Sequence, residues 1–378
     1  MKSIIKSIEP CYGTTYIRHI NGLYLGMKEG SLALSNERFL WRVESFENNR
    51  FFLKEISDHD LAEYWYGKFQ VAVDSGYAEQ HWHIYQKEQN VIIEHADSHM
   101  FLFASNNGLL VLNDGINDND GYYFRFEDSS LTKGYPYLKL ESNTGKIDLR
   151  FEHKILNIVN NDWLSNWIND LERAVYSLNR LVGDLPFPKF EIRTYTNCNS
   201  WGYIFYGKPI IHINNKDFEN EIIRMRKLEK RDISFGTLHE ISHLFDHASW
   251  IFDGEATANM KIPFVLNELN FNVSLSRHQE NETFTYDNYV QELYKEHGRL
   301  DDVKGLFSSA LAAKLTEIAK VLGWDVFKQA FRNFPNMEKE SSMSRFETFI
   351  NKLSEYSATN AKEMFSNEEW QTIINNLS

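Results

Sequence analysis

The sequence predicts a multidomain protein in which an all-β N-terminal part, residues 1–152, precedes a mainly α (α+β) C-terminal part, residues 153–378. Two observations lead to this division. The first part consists of short β-prone runs broken by Gly, Asn and Asp, without a long helical period. From Trp163 onward, apolar residues recur mostly at the spacing of amphipathic helices, with strands expected at Phe190–Tyr195 and Ile210–Ile213. A chain of 378 residues is long enough for two or three domains with sizeable cores.

Composition indicates a folded protein and argues against several classes of partner. Hydrophobic residues make up 42% of the chain and aromatic residues 15%, which is unlike a disordered protein. The formal net charge is −13 and both halves are acidic, so nucleic acid and anionic membranes are poor partners. The sequence contains no run of eighteen apolar residues, so no membrane span is predicted. Cys11 and Cys198 are too few for a disulfide framework, which leaves the redox compartment open.

The N-terminal segment Met1–Pro10 lacks both the apolar run and the small-residue cleavage site of a secretory signal peptide. A signal peptide is therefore not predicted. Secretion or release by another route and a cytoplasmic location both stay open.

A repeat of about forty residues organises the N-terminal part. The β-prone segments Leu40–Val43, His81–Ile84 and Tyr123–Phe126 recur at spacings of 41 and 42 residues, and a second β run follows each of them. Three copies of a unit with several short strands predict a closed, three-fold β structure. This pattern resembles the β-trefoil of ricin-B-type domains, and Gln80-His81-Trp82 matches their Gln-x-Trp signature in one of the three copies. The resemblance implies a targeting module that binds a glycan.

Aromatic residues of this part have two expected roles. Trp41, Trp82 and Phe124 occupy equivalent positions in the repeat, so we expect them to fill the interior. The cluster Tyr64-Trp65-Tyr66 would offer flat apolar faces to a sugar ring if it were exposed. A packed loop or hairpin is the alternative for this cluster.

The helical part contains the motif His239-Glu240-Ile241-Ser242-His243 and, after a turn at Gly254, Glu255. Residues four apart lie on one face of a helix, so His239 and His243 can direct both imidazoles at one ion. A catalytic zinc ion keeps three protein ligands and one water, and Glu255 is the expected third ligand. Glu240 can accept a proton from the activated water and pass it to the leaving amine. The pattern predicts a Zn²⁺-dependent peptidase; two surface histidines on an ordinary amphipathic helix are the alternative.

The motif and its surroundings resemble the enhancin-like gluzincin metallopeptidases, a mucin-degrading peptidase family. Gly254–Met260 is similar to the second ligand helix of that family, and Leu315–Arg332 is similar to a later helix with Gly-Trp, Phe and Phe-Arg positions. Upstream, Gly207–Ile211 is similar to a Gly-x-Pro-Ile segment. The resemblance covers about residues 195 to 335. Ser242 departs from the family pattern, since many members carry Gly at that position.

The resemblance implies a zincin-like fold for the C-terminal part, with zinc held by His239, His243 and Glu255 and with Glu240 as the catalytic base. It also implies protein substrates, often mucin-like glycoproteins. We therefore expect a zinc-dependent endopeptidase that hydrolyses peptide bonds of protein or glycoprotein substrates. A carbohydrate-binding or interaction protein with a non-catalytic peptidase-like domain is the alternative, and an aminopeptidase of the same clan is a third hypothesis.

Two further parts of a peptidase site are expected from the sequence. Zinc peptidases of this architecture pair an extended substrate with a strand beside the active-site helix, and we expect Ile210, Ile211 and His212 to lie on that edge. The oxyanion of a tetrahedral intermediate also needs a hydrogen-bond donor. Tyr206 is the first candidate because it lies nearest the Pro-Ile strand; the others are Tyr203, His247 and Tyr289.

Overall fold

The computed structural model describes residues 6–28, 31–46, 50–55, 61–65, 68–72, 80–105, 109–114, 116, 120–133, 137–195, 201–204, 208–226, 232–274 and 283–378. The chain divides into two compact units, with the break between Leu138 and Lys139. This break precedes the boundary expected after residue 152. The strand Ile147–Glu152 pairs in parallel with Phe190–Tyr195, so it belongs to the sheet of the C-terminal unit.

The N-terminal unit is built from short strands with one 3-10 helical turn at Asp120–Tyr122 in its described residues. The strands are β1 Lys6–Ser7, β2 Cys11–His19, β3 Tyr24–Lys28, β4 Ser31–Ser35, β5 Leu40–Phe46, β6 Arg50–Glu55, β7 Leu61–Trp65, β8 Lys68–Ala72, β9 Trp82–Lys87, β10 Asn90–His95, β11 Phe101–Ala104, β12 Leu110–Asn113, β13 Phe124–Glu127 and β14 Thr132–Lys133.

Six of these strands form a closed barrel. β2 pairs with β5, β5 with β6, β6 with β9, β9 with β10, β10 with β13, and β13 returns to β2. The three hairpins β3–β4, β7–β8 and β11–β12 each connect two barrel strands. The order of barrel strand, hairpin and barrel strand thus occurs three times, which is the topology of a β-trefoil. Closure of the ring pairs both edges of each barrel strand and confirms the expected three-fold structure.

The repeat-equivalent aromatics lie inside this barrel, as expected. Trp41, Trp82 and Phe124 stand near the starts of β5, β9 and β13 and are at most 1% exposed. The indole N–H of Trp41 donates to the carbonyl of Leu25 at 2.9 Å, and that of Trp82 donates to the carbonyl of Ala62 at 2.9 Å. Both acceptors are the second residue of the first hairpin strand, so the same hydrogen bond recurs in two repeats.

The proposed sugar platform lies outside the described part of the structure, since neither the side chains of Tyr64 and Trp65 nor residue Tyr66 is described. The Gln-x-Trp signature, by contrast, lies within the described residues. Its first and last residues, Gln80 and Trp82, are both buried. The signature therefore belongs to the interior of the trefoil.

The C-terminal unit combines a sheet with helices. Its strands are β15 Tyr137–Glu141, whose first two residues precede the break between the units, β16 Ile147–Glu152, β17 Phe190–Tyr195, β18 Gly202–Ile204, β19 Ile210–Asn214, β20 Asp232–Ser234, β21 Asn272–Ser274, β22 Thr283–Phe284, β23 Gly298–Arg299 and β24 Asp302–Val303. Its helices are α1 Asn161–Val182, α2 Asn215–Arg226, α3 Phe235–Leu244, α4 Gly254–Leu269, α5 Tyr289–His297, α6 Phe307–Leu322, α7 Trp324–Arg332, α8 Ser342–Ser357 and α9 Asn367–Leu377. Within the described residues, none of the helices is both long and apolar enough to span a membrane.

The main sheet of this unit has the order β15-β16-β17-β19-β18. β16, β17 and β19 are parallel, and β18 runs antiparallel to β19. The expectation that Ile210, Ile211 and His212 lie on the sheet edge is wrong, because β19 is paired on both sides and Ile211 and His212 are fully buried. The apolar run of β19 is typical of an interior parallel strand. β18 is the last strand of this sheet among the described strands.

Helix α4 forms the centre of the helical part. Residues 256–266 of this helix are all buried, and α4 packs against α1, α3 and α6. Its core neighbours include Trp250 before the helix and Phe327 and Phe349 from later helices. This packing fixes the position of the helix start, where Glu255 lies.

Candidate metal centre

Helix α3 presents the two histidines of the motif on one face. The side chain of Ser234 caps the helix by accepting a hydrogen bond from the backbone N–H of Thr237 at 3.0 Å. Leu238 and Ile241 are fully buried in the core. The spacing of four residues therefore places His239 and His243 on the opposite, partly exposed face.

Helix α4 supplies the carboxylate. Asp253 caps this helix, because its side chain accepts a hydrogen bond from the backbone N–H of Ala256 at 2.8 Å. Ser308 in turn donates to the second oxygen of Asp253 at 2.9 Å. The cap places Glu255 in the first turn of α4, with its carboxylate next to both imidazoles.

The three side chains converge on one point. Nε2 of His239 lies 3.0 Å from Nε2 of His243 and 3.1 Å from a carboxylate oxygen of Glu255, whose other oxygen lies 3.5 Å from Nε2 of His243. Ligands at 2.0–2.1 Å from a tetrahedral zinc ion are about 3.3 Å apart. Two of the observed separations, 3.0 and 3.1 Å, are shorter than this value, and the third, 3.5 Å, is longer. The nitrogen and oxygen donor set of His239, His243 and Glu255 therefore fits a zinc ion with a fourth position left for water or substrate.

Each histidine is oriented through its second ring nitrogen. Nδ1 of His239 lies 2.8 Å from the side-chain oxygen of Asn259, and Nδ1 of His243 lies 2.9 Å from a carboxylate oxygen of Asp246. An N–H at Nδ1 donates to these oxygens and leaves the Nε2 lone pair for a metal. Asp246 and Asn259 were not among the residues predicted from the sequence, although Asp246 follows His243 by three residues and Asn259 follows Glu255 by four.

Ionisation of the site follows from these contacts. Hydrogen bonds from His239 and His243 hold the pKa of the Glu255 carboxyl well below its usual range. Burial alone lowers the pKa of His243, but hydrogen bonds to Asp246 and Glu255 outweigh burial and raise the pKa to about 9. A metal ion competes with that proton and releases it on binding.

Glu240 lies beside the cluster and is buried. Burial raises the pKa of its carboxyl above the usual range. The charges of His239 and His243 lower this pKa, and the charge of Glu255 raises it by a smaller amount. Strand β18 passes close to this carboxyl. A Cβ atom at Gly202 would lie 3.3 Å from Cγ of Glu240 and 2.9 Å from the backbone oxygen of His212, so the strand approaches this closely because residue 202 is glycine.

Ser242, where the resembled family often has Gly, fits without strain. It is fully buried, and its hydroxyl donates to the carbonyl of Leu238 in the preceding turn at 2.8 Å. The departure from the family pattern therefore leaves the geometry of α3 intact.

A pocket of about 340 Å³ borders the cluster at His239 and Glu255. Its wall combines carboxylates and imidazoles with apolar and aromatic side chains, and it is lined by Trp201, Gly202, Phe235, Gly236, His239, Glu240, Glu255, Asn259, Leu293, Glu296, His297, Leu306 and Ser309. His297 is a pocket histidine that the sequence did not single out; its Nδ1 accepts a hydrogen bond from the backbone N–H of Leu306 at 3.3 Å.

The four candidates for an oxyanion donor have different positions. Tyr206 lies outside the described residues. The ring of Tyr203 stacks on His212, with ring centres 4.6 Å apart. Tyr289 is fully buried and donates its hydroxyl to the carbonyl of Asn259 at 3.1 Å, and burial raises its pKa. His247 lines a different pocket. None of the three described candidates lines the pocket at the metal cluster.

No protein-family model matches the sequence, and no curated protein matches it. Among solved structures, Cry35Ab1 is 17% identical, with a TM-score of 0.28 over 36% of this chain and 39% of the Cry35Ab1 chain. The BEL β-trefoil is 14% identical, with a TM-score of 0.27 over 30% of this chain and 91% of its own. A Polyporus squamosus lectin, solved with a sialylated influenza-binding epitope, is 13% identical, with a TM-score of 0.28 over 45% of this chain and 66% of its own. At these identities and TM-scores, the neighbours assign no function to this chain.

Proposed function

We propose that the protein is a zinc-dependent endopeptidase whose metal is held by His239, His243 and Glu255. One observation carries the proposal: the ligand atoms of these residues, from two adjacent helices, lie within 4.8 Å of one another, and His239 and Glu255 line a pocket that the buried carboxylate of Glu240 also lines. A zinc ion in this set would polarise a substrate carbonyl and lower the pKa of a water molecule in the pocket.

Glu240 serves as the general base in this proposal. Its carboxyl borders the same pocket as His239 and Glu255, and its burial favours the protonated form. The positive charge of a bound ion acts in the opposite direction. A carboxylate under these two influences can accept a proton from water and return it to the leaving amine within one turnover.

Strand β18 is the proposed binding edge for the substrate main chain. It is the last described strand of the sheet, and Gly202 brings its backbone next to Glu240. An extended polypeptide that adds to β18 as a further strand would place a peptide bond at the metal cluster. Such pairing would bind the substrate main chain on both sides of the cleaved peptide bond, which favours an endopeptidase over an aminopeptidase.

The trefoil unit is proposed to direct the enzyme to glycosylated protein surfaces. It carries none of the metal-ligand residues, all of which lie in the C-terminal unit. A weak second contact raises the local concentration of enzyme at a substrate that carries both the glycan and the cleaved chain.

A second candidate function is a carbohydrate-binding or interaction protein whose peptidase-like unit is non-catalytic. The complete trefoil topology of the N-terminal unit favours this alternative. The intact set of His239, Glu240, His243 and Glu255 favours the enzyme.

Metal analysis combined with a cleavage screen distinguishes the two functions. We expect the purified protein to contain one zinc ion and to cleave members of a panel of glycosylated and bare proteins, with activity lost to a chelator and restored by zinc. His239→Ala should abolish both metal content and cleavage. Full metal content in His239→Ala would contradict the assigned site, and zinc binding without any cleavage would favour the non-catalytic alternative.

A further inference from the structure

Lys261 is a fully buried cation on the helix that supplies Glu255. Its ammonium donates to a carboxylate oxygen of Asp246 at 2.6 Å and to the backbone carbonyl of Ser242 at 2.7 Å. It also lies 5.1 Å from the centre of the Trp250 ring. The ammonium therefore has a polar or aromatic partner in several directions, as a buried charge requires.

Both polar contacts of Lys261 lead to the metal cluster. Asp246 uses its other oxygen to hold Nδ1 of His243, and Thr257 donates to the oxygen that Lys261 contacts, at 3.1 Å. Ser242 precedes His243 in the last turn of α3. Its carbonyl also accepts a hydrogen bond from the backbone N–H of Phe245 at 3.1 Å, and a cation is favourable at this end of a helix. Lys261 thus links the helix that carries Glu255 to the end of the helix that carries both histidines.

We propose that Lys261 is a positioning residue for zinc: by neutralising and fixing Asp246, it holds the His243 ring in the orientation that directs Nε2 at the metal. The proposal rests on the zinc site proposed above. Without Lys261, the buried carboxylate of Asp246 would lack its ion-pair partner and would relax toward water. This change weakens the anchor of His243. Loss of a residue that orients a metal ligand, as Asp246 orients His243, typically alters metal affinity by about 10- to 100-fold.

Zinc affinity, measured in the full-length protein by competition with a chromophoric chelator, tests the proposal. We expect Lys261→Met to bind zinc about 10- to 100-fold more weakly and to release it faster into excess chelator. We also expect Asp246→Asn to lose about as much affinity and the double variant to lose little more, because the two residues act through one contact. The visible spectrum of the cobalt-loaded protein should change in each variant.

Lys314 provides a matched control. It is also a buried lysine in an ion pair, 2.9 Å from Glu369, but in a different part of the helical core. Lys314→Met should lower stability and leave zinc affinity and the cobalt spectrum unchanged. If Lys261→Met does not fold, Asp246→Asn and the double variant, which leaves no unpaired buried charge, are compared in its place.

Two outcomes would overturn the proposal. One is a folded Lys261→Met with the zinc affinity, release rate and cobalt spectrum of the wild type. The other is a double variant whose affinity loss is the product of the two single losses. If the wild type binds zinc and either outcome is found, this inference fails alone; if the wild type binds no zinc, the proposed function fails with it.

Discussion

Glu240 is not one of the three clustered ligand residues, although it lies between the two histidines in sequence. Glu240→Gln keeps the shape of the side chain but removes its ability to accept a proton. We predict that this variant retains zinc and loses at least about a hundredfold in kcat, the scale of a positioned general base. Zinc content and peptide cleavage are measured on the same sample. The exposed Glu347 gives a control, since Glu347→Gln should leave both unchanged.

Loss of zinc from Glu240→Gln would contradict this separation of roles, because the residue would then be needed for the metal. Retained cleavage would show that another group accepts the proton.

Glu221 makes stability depend on pH. It is buried on α2 beside Thr237, and burial raises its pKa from 4.5 to about 8. The folded-state pKa of Glu221 lies above its unfolded value. The stability that the protonated carboxyl contributes is therefore fully present below about pH 4.5 and is lost as pH rises toward 8. The loss is about 1.4 kcal/mol per pH unit across that window.

Glu221→Gln removes this titration and should stabilise the protein increasingly between pH 5 and pH 8. The free energy of unfolding from urea titrations at four pH values in that range checks the prediction. Parallel pH profiles for wild type and variant would mean that the Glu221 carboxyl is not kept protonated by folding.

The metal ligands could be predicted from the sequence because helical spacing alone sets the relation of His239 to His243. The residues that orient those ligands could not be predicted from the sequence. Asn259 and Lys261 lie on α4 and reach α3 and its end only because the two helices pack together, and a contact between two helices leaves no fixed spacing in the sequence. Asp246 follows His243 by three residues but lies beyond the end of α3, where helical spacing no longer predicts which side chains meet.

At the level of elements, β18 and β19 show the same limit. The four-residue run Ile210–Ile213 predicted a strand correctly, but neighbours in the sheet decide whether a strand is an edge. β18 has three residues, which is too short for an alternating pattern to appear in sequence. The edge next to the metal cluster was therefore assigned to the longer strand.

The close passage of β18 over α3 gives a further prediction. Gly202→Val would place side-chain atoms against the backbone of His212 and the side chain of Glu240. We predict a fall in kcat/KM of at least about tenfold with zinc retained, because the strand must shift away from the pocket. Ile204→Val in the same strand is the control and should keep nearly full activity. Wild-type kcat/KM in Gly202→Val would exclude β18 as the substrate edge.

At the scale of the whole molecule, the forty-residue period predicted the trefoil because three equivalent units close one barrel, and closure repeats the same buried positions. The end of this unit was harder to predict. The sequences of β15 and β16 are β-prone, as is the sequence before them. Only the pairing of β15 with β16 and of β16 with β17 assigns these strands to the sheet of the second unit.

Truncation tests that division. A protein that begins at Lys139 should keep zinc and cleave a small unfolded substrate, whereas one that begins at residue 155 lacks β16 and should lose the sheet. Circular dichroism, zinc content and cleavage are compared for both. Compared with the full-length protein, the protein that begins at Lys139 should lose more activity on glycosylated substrates than on bare ones, since the targeting contact is absent. Equal folding of the two truncations would contradict the boundary at Leu138 and Lys139.

Crystallography of the zinc-loaded protein tests whether His239, His243 and Glu255 hold the ion. Anomalous diffraction at the zinc edge should give one strong peak in the C-terminal unit, at about 2.0–2.2 Å from Nε2 of both histidines and from a carboxylate oxygen of Glu255. A zinc-loaded crystal without a peak at these three residues, or with its strong peak on other side chains, would show that they do not form the zinc site.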